Sequence, residues 1–242
     1  MKIKEKHLDA VKEFSRFAKT YETHNIIQEE VAHTLVGNIS EKMYHTIVDI
    51  GCGSGAVYKN ILKRKIHFDC YIALDSSEEM LVLHPEDKNV KKICANFNMR
   101  DTYQSFNLVG NSILLSSSAL QWSKELDFIF ENLSKKSNQV YFAIFTSNTF
   151  KTLHETANIQ SPIYSVEYLK KSIEKYYDVK FEVKTYKLYF ETVRDMFRYI
   201  KKSGVSGGEK QLTYKQIKQL MHTYPLNYLE FEVLFVKSYL KV

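Results

Sequence analysis

One spacing of acid and glycine in this chain could hold a ligand. Ile47-Val48-Asp49-Ile50-Gly51-Cys52-Gly53-Ser54-Gly55 is an apolar, β-branched run that meets an acid and then three glycines at alternate positions. That is the pattern of a buried parallel strand turning abruptly into a helix. Glycine in such a turn admits backbone angles that a Cβ forbids, and it lets a ligand lie against the main chain. Ala56 to Leu62 read as the helix, whose first N–H groups would face the contents of the loop. Twenty residues after Gly55, Asp75 ends a second apolar run, Asp69 to Leu74, where a carboxylate can accept both hydroxyls of a ribose. A tight turn with nothing bound is the plain alternative. The strand before the loop, the helix after it and the acid-ended second strand favour a nucleoside ligand.

Other chemistry finds less support. Cys52, Cys70 and Cys94 lie far apart without a C-x-x-C pair, and the 8 histidines form no H-E-x-x-H pair, so reduced buried thiols are expected and a metal site is not. At 242 residues the chain can bury a full core as one domain, spanning 1–242. No apolar run approaches the roughly 20 residues of a membrane span, and the charged N-terminus lacks the apolar core of a signal peptide. A cytoplasmic protein without a membrane partner is therefore expected. The net charge of +6 suits an acidic partner. Its lysine pairs, such as Lys91-Lys92 and Lys201-Lys202, form no basic run interleaved with aromatics, so nucleic acid is not expected.

The elements that must position the loop alternate. Helices are predicted over residues 5–19 and 25–39, the second from Ile27, Val31, Leu35 and Ile39. Strands follow at 45–50, 68–74, 90–95, 112–116 and 140–146. Ser76 and Glu79, at capping-box spacing, open a helix after the second strand, and another runs over about 124–135. Ile113-Leu114-Leu115 is apolar throughout, as a central strand covered on both faces should be. Beyond residue 150 the pattern changes to mostly helix over 150–177 and a long strand over 179–190. Helices at 192–203 and 213–222 and a closing strand at 229–240 complete the chain. The fold class is α/β: a Rossmann-like, mostly parallel seven-stranded sheet with an antiparallel edge, helices on both faces, an N-terminal helical cap (1–40) and a helical lid insertion (191–226).

Dinucleotide sites usually space their glycines as G-x-G-x-x-G, whereas Asp49-x-Gly51-x-Gly53-x-Gly55 resembles the S-adenosylmethionine loop of class I methyltransferases. Longer stretches resemble one family among them, the malonyl-acyl-carrier-protein methyltransferases of biotin synthesis. Tyr21-Glu22-Thr23-His24 with Gln28 is similar to that family's Tyr-x-x-His and following Gln. Ala73-Leu74-Asp75 through Met80-Leu81 is similar to its Ala-Leu-Asp-x-Ser-x-x-Met-Leu. Ser116 through Gln121-Trp122 is similar to its Ser-Asn-x-Ala-x-Gln-Trp, and Met196-Phe197-Arg198 to Lys201 and Gly204 resembles its lid helix. Two departures stand out: Asn96 replaces the usual acid after the third strand, and Ser117 replaces a common Asn.

The resemblance implies S-adenosyl-L-methionine as cofactor and methylation of the free carboxylate of malonyl-acyl carrier protein, or of malonyl-CoA. Gly51, Gly53 and Gly55 would admit the methionine and ribose, with Asp49 supporting the loop and Asp75 holding the ribose. Ser76 and Met80 would flank it, Asn96 and Phe97 would border the adenine, and Ser116 would lie near the reacting methyl. Tyr21 would close the site by positioning, and Arg198 and Lys201 would take the substrate carboxylate or its carrier. Such a transfer needs no general base, because a carboxyl group of ordinary pKa, about 4, is already an anion at neutral pH. A methyltransferase for another small carboxylate or for nucleic acid, and a non-catalytic cofactor-binding accessory protein, are the alternatives. The intact loop and Asp75 argue against the last. Ser116-Ser117-Ser118-Ala119, standing where a base-binding Asn-Pro-Pro-Tyr motif would be, argues against nucleic acid.

Overall fold

The computed structural model describes residues 25–40, 43–202 and 212–238. Its centre is a seven-stranded sheet in the order β3-β2-β1-β4-β5-β7-β6. The strands are β1 (Met43–Ile50), β2 (His67–Asp75), β3 (Val90–Cys94), β4 (Ser112–Ser117), β5 (Val140–Phe145), β6 (Val179–Tyr189) and β7 (Tyr228–Ser238). The first five are parallel. β7 runs antiparallel to β5 and to β6, giving the expected antiparallel pair at one edge. Ile113, Leu114 and Leu115 are all fully buried, which explains the uninterrupted apolar wording of β4.

Helices cover both faces. On one, α1 (Ile26–Gly37) and α2 (Ala56–Lys63) share a core with the late helices α7 (Val193–Lys202) and α8 (Tyr214–Thr223), through Ile27, Val31, Met196, Tyr199, Leu220 and Tyr224. On the other, α4 (Leu126–Ser134) and α6 (Val166–Glu174) bury Ile129, Phe130, Leu169 and Ile173. The short helices α3 (Glu78–Leu83) and α5 (Lys151–Ala157) follow β2 and β5. α8 opens with a capping box, Thr213 Oγ1 accepting from the Gln216 N–H while Gln216 Oε1 accepts from the Thr213 N–H. The cap of α3 lies one residue later than its sequence spacing suggests. Ser77, not Ser76, accepts from the Met80 N–H, because Asp75 holds the Ser77 N–H and fixes the turn.

The strand order reverses between β1 and β4, which pair directly from Thr46–Ser112 to Asp49–Leu115. At such a reversal the following helices leave toward opposite faces and open a crevice above the carboxyl ends of the strands. Among the described residues, no helix is long and apolar enough to cross a membrane.

Candidate functional site

A cleft open to solvent at its mouth lies in that crevice. Its floor is the glycine loop. The Gly51 and Cys52 N–H groups both donate to the Leu74 carbonyl, at 2.7 and 3.0 Å, and so tie the end of β1 to the end of β2. All three loop glycines have left-handed φ, yet only Gly51 and Gly53 line the cleft. A Cβ on Gly51 would lie 2.2 Å from the Cβ of Ala119. A Cβ on Gly55 would lie 2.7 Å from Cδ of Pro85 and 3.0 Å from His84. Gly55 therefore serves the packing of α2 against the His84-Pro85 turn, away from any ligand. At Gly53 a Cβ would meet nothing within 4 Å, so this glycine leaves its space to whatever occupies the cleft.

Asp75 stands half-buried on the wall. Its Oδ2 accepts from the Gly53 N–H and its Oδ1 from the Ser77 N–H, both at 2.9 Å, which joins the loop to the start of α3. Burial raises its carboxyl above the ordinary value and the backbone donors oppose that rise. Each oxygen keeps a second lone pair for a ligand hydroxyl. Asp49 is fully enclosed and does not reach the wall. The Tyr71 hydroxyl donates to its Oδ2 at 2.8 Å, while its Oδ1 is buried with no partner. Burial pushes the Asp49 carboxyl up to about 7, against the Tyr71 hydrogen bond and with a further push from Asp75.

Ser76, Met80 and Phe97 join the wall, and Asn96 and Ser116 do not. The Asn96 side chain turns back on its own loop, Oδ1 accepting from the Asn98 N–H at 2.9 Å and from Asn98 Nδ2 at 3.2 Å. Asn readily closes such local turns because its short carbonyl reaches the backbone two residues on. It thereby orients Phe97 instead of facing a ligand. Ser116 is fully buried, and its hydroxyl donates to the Ile50 carbonyl at 2.8 Å, fastening β4 to β1.

The sequence reading assigned no cleft position to several residues that line it. Ser117 ends β4, Ser118 and Ala119 follow it, and Trp122 lies in the next turn. From the N-cap and first turn of α1 come Asn25 and Gln28, 3% and 7% exposed. Gln28 Oε1, Ser54 Oγ, Ser117 Oγ and Ser118 Oγ are buried without a partner. Gln28 and Trp122 belong to stretches that carry the family likeness, so a signal existed for them. The serine run read as a strand end, with Ser117 in place of a common Asn and no base-binding motif.

The substrate candidates fare differently. Arg198 lies on α7 away from the cleft, its Nη1 donating to Asp195 Oδ1 at 2.6 Å with more than half of the side chain in solvent. Met196 and Tyr199, three apart, face the core, which leaves Arg198 on the outer side of the helix. Tyr21, Gly204 and the side chain of Lys201 lie outside the described residues.

No family model matches the chain. Curated relatives do. A malonyl-[acyl-carrier protein] O-methyltransferase of Acetivibrio thermocellus is 30% identical, over 82% of this chain and 78% of its own. Those of Priestia megaterium and Ilyobacter polytropus are 25% and 27% identical, covering 90% and 94% of this chain and 89% and 93% of their own. A methyltransferase from an antibiotic pathway of Anabaena variabilis has the same fold, with a TM-score of 0.62 at 9% identity over 87% of this chain and 97% of that one. So does the plantazolicin methyltransferase BpumL, solved with S-adenosylhomocysteine, with a TM-score of 0.52 at 14% identity over 98% and 99%. By its whole-length likeness to these enzymes, the chain belongs to the malonyl-[acyl-carrier protein] O-methyltransferase family.

Proposed function

We propose that this protein transfers a methyl group from S-adenosyl-L-methionine to the free carboxylate of a malonyl thioester on acyl carrier protein, with malonyl-CoA as the smaller alternative. One observation carries the cofactor reading: the cleft joins an unfilled face at Gly53 to the acid that ends β2, beside Met80 and Phe97. Buried polar atoms without protein partners, Gln28 Oε1 and Ser54 Oγ, line the same cleft. They suit a ligand with an amino acid at one end and a nucleoside at the other, since buried polar groups ordinarily have partners.

Placement supports the following roles. Asp75 accepts the ribose hydroxyls, Met80 and Phe97 flank the base, and Ser76 borders them. Gly51 and Gly53 form the floor under the methionine portion. Asp49, Gly55, Asn96 and Ser116 act at one remove, by holding the loop, α2, Phe97 and the end of β4. Tyr21 and Lys201 keep their proposed parts as closing and substrate-side groups, in one domain with an N-terminal cap and a lid insertion.

When bound, the cofactor supplies an electrophilic methyl on a sulfonium; a carboxylate lone pair forms the O–C bond and the C–S pair stays on sulfur. No proton moves, so the site needs no base. The protein aligns the reactants and excludes water, which contributes on the order of 7–11 kcal/mol in favourable cases. Val57, Met80, Phe97, Ala119 and Trp122 give the wall its apolar share. The net charge of +6 suits an acidic carrier and speeds encounter more than it tightens binding. A cytoplasmic setting agrees with the free thiols Cys52, Cys70 and Cys94.

The test offers labelled S-adenosylmethionine with malonyl-carrier protein, malonyl-CoA and a small tricarboxylate side by side. Preferential labelling of the malonyl carrier is expected. Preference for the tricarboxylate, or labelling of none while the cofactor still binds by calorimetry, would overturn the assignment.

A further inference from the structure

We propose that Ser117 and Ser118 are the seat of the methyl-accepting carboxylate, their two hydroxyls donating to its oxygens. The inference rests on the carboxylate methylation proposed above and adds residues that hold the substrate. Both hydroxyl oxygens are buried, both lack a partner, and both residues line the cleft. Two adjacent orphaned donors in one wall are unusual, because a buried polar atom left unpaired is costly.

The backbone presents them deliberately. Ser118 has φ +60, in the left-handed region that only glycine enters freely. Such a conformation persists where surrounding contacts over-determine it, and residues of this kind cluster at functional sites. Here the contacts are explicit. The Ser118 N–H donates to the Ala143 carbonyl of β5 at 2.9 Å, and Gln121 Nε2 donates to the Ser118 carbonyl at 2.7 Å. Gln121 is itself buried, and Ala119, the residue after Ser118, sits directly on Gly51. The serine pair is therefore clamped between β5 and the glycine loop, at the switch point where the reactants must meet.

Charge points the same way. Among the described residues that line the cleft, Asp75 is the one acid, and none is Lys, Arg or His. Arg198 is turned to Asp195. A carboxylate in a dry cleft needs donors. Neutral hydroxyls supply them without the two charge-assisted bonds by which a guanidinium would hold the nucleophilic lone pairs. The positive charge opposite the carboxylate then resides on the methyl donor, which draws the reacting groups together.

The experiment uses the full chain with Ser117→Ala, Ser118→Gly and the double variant. Ser118→Gly removes the hydroxyl and relaxes the positive φ, so folding is not at risk. Calorimetry measures S-adenosylhomocysteine binding, and then malonyl- and acetyl-carrier protein binding to the protein saturated with S-adenosylhomocysteine, where no turnover occurs. Cofactor affinity is expected to stay within about two-fold, while malonyl-carrier affinity falls about ten-fold per hydroxyl, as for a lost hydrogen bond to a charged group. Acetyl-carrier affinity is expected not to change, because acetyl carries no carboxylate. Unchanged malonyl binding, an equal loss for acetyl, or weakened cofactor binding in its place would each overturn the seat. Wild-type protein that methylates no malonyl thioester would overturn the function beneath it, and the seat with it.

Discussion

Gly51→Ala tests whether the glycine loop and the turn after β4 are locked together. The new Cβ would stand 2.2 Å from Cβ of Ala119, at a backbone φ of +71, whereas carbon atoms in contact prefer about 3.5–4.0 Å. One side must retreat by more than about 1 Å. Ala119 cannot do so freely, because the turn is held by the Ser118 N–H on Ala143 and by the Trp122 N–H on the Ala119 carbonyl, at 2.9 and 3.1 Å. Overpacking of this kind costs about 1–3 kcal/mol. The left-handed φ adds roughly 1–2 kcal/mol for a residue with a Cβ. The sum, roughly 2–5 kcal/mol, lowers Tm by roughly 4–20 °C in a chain of this size. Gly53→Ala carries only the φ cost of roughly 1–2 kcal/mol, since its Cβ meets nothing within 4 Å. It should lose cofactor binding through the filled floor while staying the more stable of the two. Adding Ala119→Gly to Gly51→Ala removes the opposing Cβ and should restore about 1–2 kcal/mol, net of the roughly 0.5–1 kcal/mol that a new glycine itself costs. Thermal unfolding of the four proteins in this cycle, with Gly53→Ala as control, decides the matter. If the second change recovers nothing, or Gly51→Ala melts no lower than Gly53→Ala, the contact is not what makes Gly51 a glycine.

Two further outcomes follow from the acids of the site. Asp49, raised by burial to about 7, binds its proton in the folded chain over a pH range where the unfolded chain, with a carboxyl near about 4, has released it. Its contribution to stability is therefore full below about pH 4 and is lost as pH rises to about 7. Asp49→Asn, which keeps an acceptor for Tyr71, should flatten that decline in denaturant midpoints taken at about pH 4.5, 6 and 7.5; an unchanged slope would refute the assignment. Asp75→Ala removes the acceptor of two backbone N–H groups at 2.9 Å together with the proposed ribose anchor. S-adenosylhomocysteine affinity should fall about 100-fold, as for roughly 3 kcal/mol of charged hydrogen bonding, and a loss under about five-fold by calorimetry would speak against the ribose role.

The sequence by itself determined the order of strands and helices, because a buried parallel strand must be an unbroken apolar run and a helix must repeat its apolar face every three to four residues. Val48 to Asp75 showed a strand, a glycine turn, a helix and a second strand ending in an acid, and those are local facts of spacing. Only the tertiary structure decided what each residue faces. Gly51 answers to Ala119 and Gly55 to His84-Pro85, partners far along the chain that the sheet brings near. The Asn96 amide turns to Asn98, the Ser116 hydroxyl to Ile50 and the Arg198 guanidinium to Asp195, so three residues that the motif placed at the ligand are engaged elsewhere. Gln28 from α1 and the serine pair at the end of β4 reach the cleft because strand order reverses between β1 and β4. Spacing along a chain records the period of an element, whereas the direction of a side chain depends on which distant element closes against it.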